Sequence, residues 1–213
     1  MRLILIRHGE TDWNKQGRVQ GLSDLELNET GRRQSESLAQ ALGDEKVEAL
    51  YTSPLKRARD TAYAIGRLHP VEVVTIDGLR ELDVGEVDGL TYEEMVCYYG
   101  DFFERWMKDC TSVCPPGGSS MPELQERAWA AIQDILRRHQ QRGKSEGDGE
   151  EVVIAVAHFF PILSILCKAL GLELSECRRM KLELASITTL DFNPERTVLV
   201  SLNDTCHLKE EGQ

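Results

Sequence analysis

The chain reads as an α/β protein, a three-layer α/β/α sandwich around a mostly parallel sheet. Two observations predict this. Leu3–Arg7 and Val152–Ala157 are continuous apolar runs of strand length, as expected where helices cover both faces of a sheet. Between and after them lie segments of helical length and pattern, so strands and helices take turns along the chain.

The elements follow in order. Leu3–Arg7 is the first strand; its flank resembles a signal peptide, but the apolar stretch is too short and no small-residue cleavage site follows. A helix is expected from about Thr30 to Leu42, then a strand near Val47–Tyr51. Ser53-Pro54 should open the next helix, with serine as cap and proline at the first helical position. Val71–Ile76 reads as a strand, and Thr91–Met107 and Met121–Gln140 as helices separated by the breaker Cys114-Pro115-Pro116-Gly117-Gly118. Gly143–Glu151 is charged and glycine-rich, hence a solvated loop. After Val152–Ala157 comes a helix at Pro161–Leu170, then Ile187–Phe192 and Thr197–Leu202 flank Asn193-Pro194 as a hairpin. No repeats occur. The expectation is one domain over residues 1–213, with a helical insertion at about 91–121 and a tail at 203–213.

Composition excludes some functions. The 25 basic and 36 acidic residues leave a net charge of −11, so the surface as a whole repels nucleic acid and anionic membranes. An anion site would have to be a local basic concavity. No apolar run has the length of a membrane span. The six cysteines form no C-x-x-C pair and no Cys/His group has structural-zinc spacing, although Cys110 and Cys114 are close enough to raise a disulfide or a metal. Reduced thiols in a cytoplasmic protein, with no metal and no cofactor, are expected. A second copy of the chain is a candidate partner.

Ligands of open parallel sheets bind outside the carboxyl ends of the strands. Arg7-His8 ends the first strand, Tyr51-Thr52-Ser53 ends the second and leads into Arg57 and Arg59, and His158 ends Val152–Ala157. If these strands are adjacent, two histidines and several arginines share one rim. A neutral His8 imidazole is then a competent nucleophile near neutral pH. Phosphoryl transfer mainly needs charge stabilisation on the non-bridging oxygens, which Arg7 and Arg59 can supply as permanently charged forks. Arg59, near its helix start, should lean back toward the rim. Each residue taken singly has a plainer reading, as a solvated strand end, a core histidine or a helix-surface charge. His69 and His139 read as surface residues.

The segment Leu5-Ile6-Arg7-His8-Gly9-Glu10-Thr11 with Trp13-Asn14 resembles the signature of the histidine phosphatase superfamily, the phosphoglycerate mutase-like group. Leu27 through Gln34, Tyr51–Thr61, Leu79-Arg80-Glu81-Leu82 leading to Gly89-Leu90-Thr91, and Val153–His158 resemble its later segments in order. The resemblance implies His8 as nucleophile, Arg7, Arg59 and His158 as the phosphate pocket, Asn14 as a further phosphate contact and Glu81 as proton donor to the leaving group. It implies hydrolysis of a small phosphorylated metabolite through a phosphohistidine. A phosphoglycerate mutase is the second reading, disfavoured by Val84-Gly85-Glu86-Val87-Asp88-Gly89 where mutases carry a Glu-Arg-His-Tyr-Gly-like segment. A silent phosphate-binding module is the third, disfavoured by the complete residue set.

The chain departs from the family at Phe159-Phe160-Pro161, where glycine usually follows the second histidine. The tail through His207 resembles that of α-ribazole phosphatases and metal-independent phosphoserine phosphatases. In the latter, a tail histidine and an acid-loop histidine hold the substrate carboxylate, and the acid-loop position here is Val84. Phe159, Val84 and His207 are therefore expected on the substrate side.

Overall fold

Leu3, Ile4, Leu5 and Ile6 are all buried, and so is every residue from Val152 to Ala157, because helices cover both faces of the two strands they form. A computed structural model describes residues 1–140, 151–193 and 195–208. Its strands are β1 (Arg2–Arg7), β2 (Val47–Thr52), β3 (Val73–Thr75), β4 (Val152–Ala157), β5 (Ile187–Phe192) and β6 (Thr197–Asp204). Its helices are α1 (Asp12–Lys15), α2 (Glu29–Ala41), α3 (Lys56–Gly66), α4 (Tyr92–Lys108), α5 (Met121–Gln140) and α6 (Phe159–Leu170).

The sheet order is β3-β2-β4-β1-β5-β6, with the first four strands parallel and the last two antiparallel. Side chains alternate between two apolar layers. Leu3, Leu5, Val153 and Ala155 face a core shared with α5 and α6, whereas Ile4, Ile6, Ile154 and Val156 face one shared with α2 and α3. Each buried aliphatic side chain contributes about 1.5–3 kcal/mol, so this double layer anchors the centre of the sheet. Arg7 lies opposite Ala157 and Thr52 opposite Val156, so the carboxyl ends of β1, β4 and β2 fall in one row. The chain leaves this row in step: the His8 amide donates to Ala157 O (3.1 Å) and the Ser53 amide to Val156 O (3.0 Å).

The α/β/α expectation holds, with local differences. Ser53-Pro54 does not open α3; the helix begins at Lys56 with Leu55 in the cap position. The Ser53 hydroxyl lies within 2.7 Å of His158 Nε2 and accepts from the Leu55 amide (3.3 Å) ahead of the helix. The helix after β4 starts at Phe159, two residues early, with Pro161 in its first turn where no intrahelical N–H is needed. The strand expected over Val71–Ile76 shortens to Val73–Thr75, and α1 was not foreseen. The loop expected at 143–151 lies outside the described residues save Glu151, as do Pro194 of the hairpin turn and the tail beyond Leu208. His139 is buried rather than on the surface, held between Glu151 and the Tyr51 hydroxyl.

The loop after His8 packs directly on the first turn of α2. Asn28 caps that helix by accepting from the Gly31 amide (2.9 Å) and also donates to the Glu10 carboxylate (2.8 Å). A Cβ on Gly9 would come within 2.6 Å of Gly31 O, and one on Gly31 would overlap the Glu10 carbonyl and sit 2.7 Å from its amide nitrogen. Neither neighbour is a flexible side chain. Gly31→Ala gains about 1 kcal/mol of helix propensity but forces backbone apart at an overpacking cost of about 2–3 kcal/mol, the upper part of the usual range because the overlap is with backbone. We expect a net loss of about 1–2 kcal/mol in urea denaturation, with lowered turnover because the displaced backbone adjoins His8. A Gly31→Ala protein as stable as wild type would show that the loop has room.

Candidate active site

Each strand end in the row carries one polar side chain of the site. At β1, the His8 ring is buried and its Nδ1 lies 2.7 Å from Gly9 O. A carbonyl can only accept, so Nδ1 carries the proton and Nε2 the lone pair. The lone pair faces Arg57 Nε at 3.3 Å, a long contact. His158, at the end of β4, is fully buried with its ring centroid 5.0 Å from that of His8. Its Nε2 meets Ser53 Oγ from the end of β2, and its Nδ1 has no protein partner.

Two guanidinium groups close the site. Arg57, on the first turn of α3, is fully buried and donates to Ser23 O (2.8 Å) and Gly21 O (2.7 Å). Those carbonyls are themselves held in place by Asp88, whose carboxylate accepts from the Gly21 and Ser23 amides (2.8 and 3.1 Å). Arg7 donates to Leu182 O (2.6 Å), lies over the Phe159 ring at 5.0 Å, and keeps a buried Nε without a protein partner. Burial pushes both guanidinium groups down to about 10, which still leaves them charged at neutral pH. Burial, reinforced by Arg57 and Arg7, pushes His8 well below the usual imidazole range, and burial with Arg57 does the same to His158. Both imidazoles are therefore neutral at pH 7.

Glu81 is buried on the same side. Its carboxylate accepts from the Leu82 amide (2.8 Å), and the Phe160 backbone N–H lies near enough to stabilise its charge. Burial raises its pKa against the opposing pull of those amides, Arg57 and Arg7. Arg127 donates to the Glu81 backbone carbonyl (3.1 Å) and so fixes the segment. Asn14 stands in the capping box of α1, where its Oδ1 accepts from the Thr11 amide (3.1 Å). That leaves its amide nitrogen as the group able to donate elsewhere. Thr11 also donates to Gln20 Oε1 (2.8 Å), and Gln20 Nε2 is buried without a protein partner.

The structure thus brings together Arg7, His8, Glu81 and His158, with Phe159 against Arg7. It does not bring Arg59. Two residues along an α-helix is a rotation of about 200°, so Arg57 and Arg59 cannot share a face, and Arg59 remains half-exposed on the other side of α3. Val84 is 4% exposed and packs in the core against Gly21, so it does not border the substrate side as expected. His207 has its Nε2 2.9 Å from Ala185 O and borders a cavity of about 380 Å³ between the end of α2 and the β5–β6 hairpin. It reaches the His8 segment only indirectly, since the Ala185 amide donates to His8 O (3.1 Å). Ser53, Asp88, Arg127 and Gln20 were not singled out from sequence. Ser53, next to a strand end, carried a signal that was read as capping; the others carried none. Among the described residues no group of three or more His, Cys, Asp or Glu side chains could hold a metal ion, and no helix is long and apolar enough to cross a membrane.

Residues 3–205 match the histidine phosphatase superfamily (branch 1), and the chain belongs to that family. Within it, the chain is 34% identical to phosphoserine phosphatase 1 of Hydrogenobacter thermophilus, over 99% of this chain and 95% of that one. It is 31% identical to a metal-independent phosphoserine phosphatase of Arabidopsis thaliana, over 99% and 84%. Among solved structures it resembles a mycobacterial glucosyl-3-phosphoglycerate phosphatase complexed with VO3, with a TM-score of 0.87 and 28% identity over 96% and 99% of the two chains. The chain is accordingly a phosphoric monoester hydrolase of the histidine phosphatase class.

The position of the second phosphate-side arginine is open to a direct check. Arg57→Ala should lower kcat/KM on p-nitrophenyl phosphate by about 10²–10³, the loss typical of one oxyanion donor. Arg57→Lys should rescue only part of this, because lysine keeps the charge without the fork. Arg59→Ala should stay within about twofold, as surface changes usually do. Equal losses at both positions would reverse the assignment.

Proposed function

We propose that the protein hydrolyses small phosphomonoesters through a phosphohistidine at His8. The observation that carries the reading is the His8 tautomer: Nδ1–H is spent on Gly9 O, so Nε2 offers its lone pair beside two buried guanidinium groups. Nε2 attacks phosphorus, the P–O ester bond breaks, and Glu81 donates its proton to the departing oxygen. Water then attacks the phosphohistidine, Glu81 takes a proton from it, and the P–N bond breaks to release inorganic phosphate. Arg7 and Arg57 neutralise the non-bridging oxygens, and Asn14 donates through its amide. His158 accepts from Ser53 at Nε2 and donates from its otherwise unpartnered Nδ1–H to the same oxygens.

These groups supply in place the charge that a metal ion would otherwise provide. The substrate is a small phosphorylated metabolite. Six free cysteines and no membrane-spanning helix among the described residues support a cytoplasmic setting.

His8→Ala should abolish turnover, and rapid quenching of wild type should trap an acid-labile, base-stable phosphoryl group on His8. Excess chelator should leave the rate unaltered. The pH profile follows from the two shifts. His8, lowered, is active above its pKa, so kcat/KM falls only in acid; Glu81, raised, is active below its pKa, so the rate on alkyl phosphates falls as pH rises through it. Glu81→Gln should remove that alkaline limb and slow alkyl phosphates by roughly 10²–10⁴, with a much smaller loss on p-nitrophenyl phosphate. Near-wild-type turnover by His8→Ala sinks the mechanism; equal losses on both substrate types remove Glu81 from the acid role.

A further inference from the structure

A row of aromatic rings begins at the phosphate-side arginine and runs away from it. Arg7 lies over Phe159 at 5.0 Å, Phe159 meets Phe160 edge-on at 5.1 Å, Phe160 meets Trp106 of α4 at 5.7 Å, and Trp106 meets Phe102 at 5.6 Å. All four rings pack on the core yet remain only half-buried. Beside a central strand β4 whose residues are all enclosed, four contiguous large rings left partly in water mark a surface with a use.

We infer that this row is the leaving-group subsite, and that the enzyme prefers phosphomonoesters whose alcohol carries an aromatic ring over amino-acid or polyol phosphates. The inference rests on the hydrolase reading above. Two separate contacts locate the leaving group here. Arg7, which holds the phosphate, covers Phe159, so a phosphate bound at Arg7 has that ring at its flank. Glu81, which protonates the departing oxygen, has its carboxylate stabilised by the nearby Phe160 N–H, so the ester oxygen leaves toward the same helix start. A substituent on that oxygen meets ring faces and edges along the row, with Arg178 at its Trp106 end already donating to Trp106 O (3.0 Å) and Met107 O (3.2 Å). The residues expected to hold a carboxylate do not offer themselves: Val84 is apolar and buried, and the His207 Nε2 is engaged with Ala185 O. An aromatic alcohol gains stacking contacts along the row, whereas the charged ammonium and carboxylate of phosphoserine would lose water against it.

The test separates ring recognition from leaving-group reactivity by comparing benzyl phosphate with propyl phosphate and phosphoserine, all esters of primary alcohols. Wild type should favour benzyl phosphate in kcat/KM by about tenfold, the scale of one or two aromatic contacts. Trp106→Ala and Phe160→Leu should each reduce the benzyl-to-propyl ratio about three- to tenfold, chiefly through KM, and Trp106→Phe should keep most of it. A benzyl-to-propyl ratio near one in wild type, a ratio unaltered by both truncations, or a preference for phosphoserine overturns the inference while leaving the hydrolase reading intact. No turnover of these esters or of p-nitrophenyl phosphate overturns the hydrolase reading itself, and this inference with it.

Discussion

Two guanidinium groups held charged beside one imidazole, Arg57 fully buried and Arg7 partly so, are the constraint on which the site depends. Desolvating each costs several kcal/mol. Backbone carbonyls offset part of this: Leu182 O for Arg7, and Ser23 O and Gly21 O for Arg57, each charge-assisted bond contributing about 1.5–3 kcal/mol. The remainder is an excess of buried positive charge that a phosphate dianion relieves. Much of the surrounding backbone serves this arrangement. Asp88 holds the 21–23 turn so that its carbonyls face Arg57, and the turn at Gly21 leaves no room for a side chain because Val84 and Leu82 O crowd it. The fold's stability and the site's affinity therefore draw on the same contacts.

Burial acts on the acid and the nucleophile through one physical cause with opposite signs. It disfavours charge, so it lowers His8 and raises Glu81. The positive field of Arg7 and Arg57 deepens the first shift and opposes the second. The two shifts move toward each other, extending downward the pH range in which the imidazole is neutral and upward the range in which the carboxyl holds its proton, which is the direction that nucleophilic attack and leaving-group protonation require together. A site with the same residues exposed to water would have ordinary values for both, and the carboxyl would be ionised at neutral pH.

The sheet and the strand-end histidines were legible because a continuous apolar run of strand length has few alternative readings, and because a polar residue directly after such a run must sit at an edge. The reading made His8 and His158 neighbours on condition that their strands are adjacent, and the parallel pairing of β1 with β4 meets that condition. The choice between Arg57 and Arg59 was not legible in that way. Both follow Ser53-Pro54 within one turn, and deciding which points inward needs the helix start. That start is at Lys56, and the Ser53 hydroxyl before it meets His158, a contact between residues 105 apart that local sequence does not reveal. Val84 failed for a related reason: its apolar side chain has a closer claim on the gap above Gly21 than on the pocket. Asp88 and Arg127 act mainly on backbone groups of other segments, Asp88 also accepting from the Ser23 hydroxyl, and nothing in their local sequence distinguishes them from surface charges.

The pair that departs from the family pattern shows how a site can alter its specificity without disturbing its chemistry. Phe159 and Phe160 open α6 immediately after His158, where first-turn amides have no intrahelical acceptor. The Phe160 N–H lies near the Glu81 carboxylate and stabilises its charge, which any residue but proline would do in the same conformation. The side chains are free of that duty, and their rings extend from Arg7 toward α4. Replacing small residues with aromatic ones at this turn keeps the backbone donor and changes only what the rest of the substrate meets. Trp106 and Phe102 come from a separate helix and complete the row only because the tertiary fold lays α4 against the start of α6. Catalytic and recognition surfaces thus share one short stretch of chain but are set by different atoms of it, which allows each to vary under its own constraint.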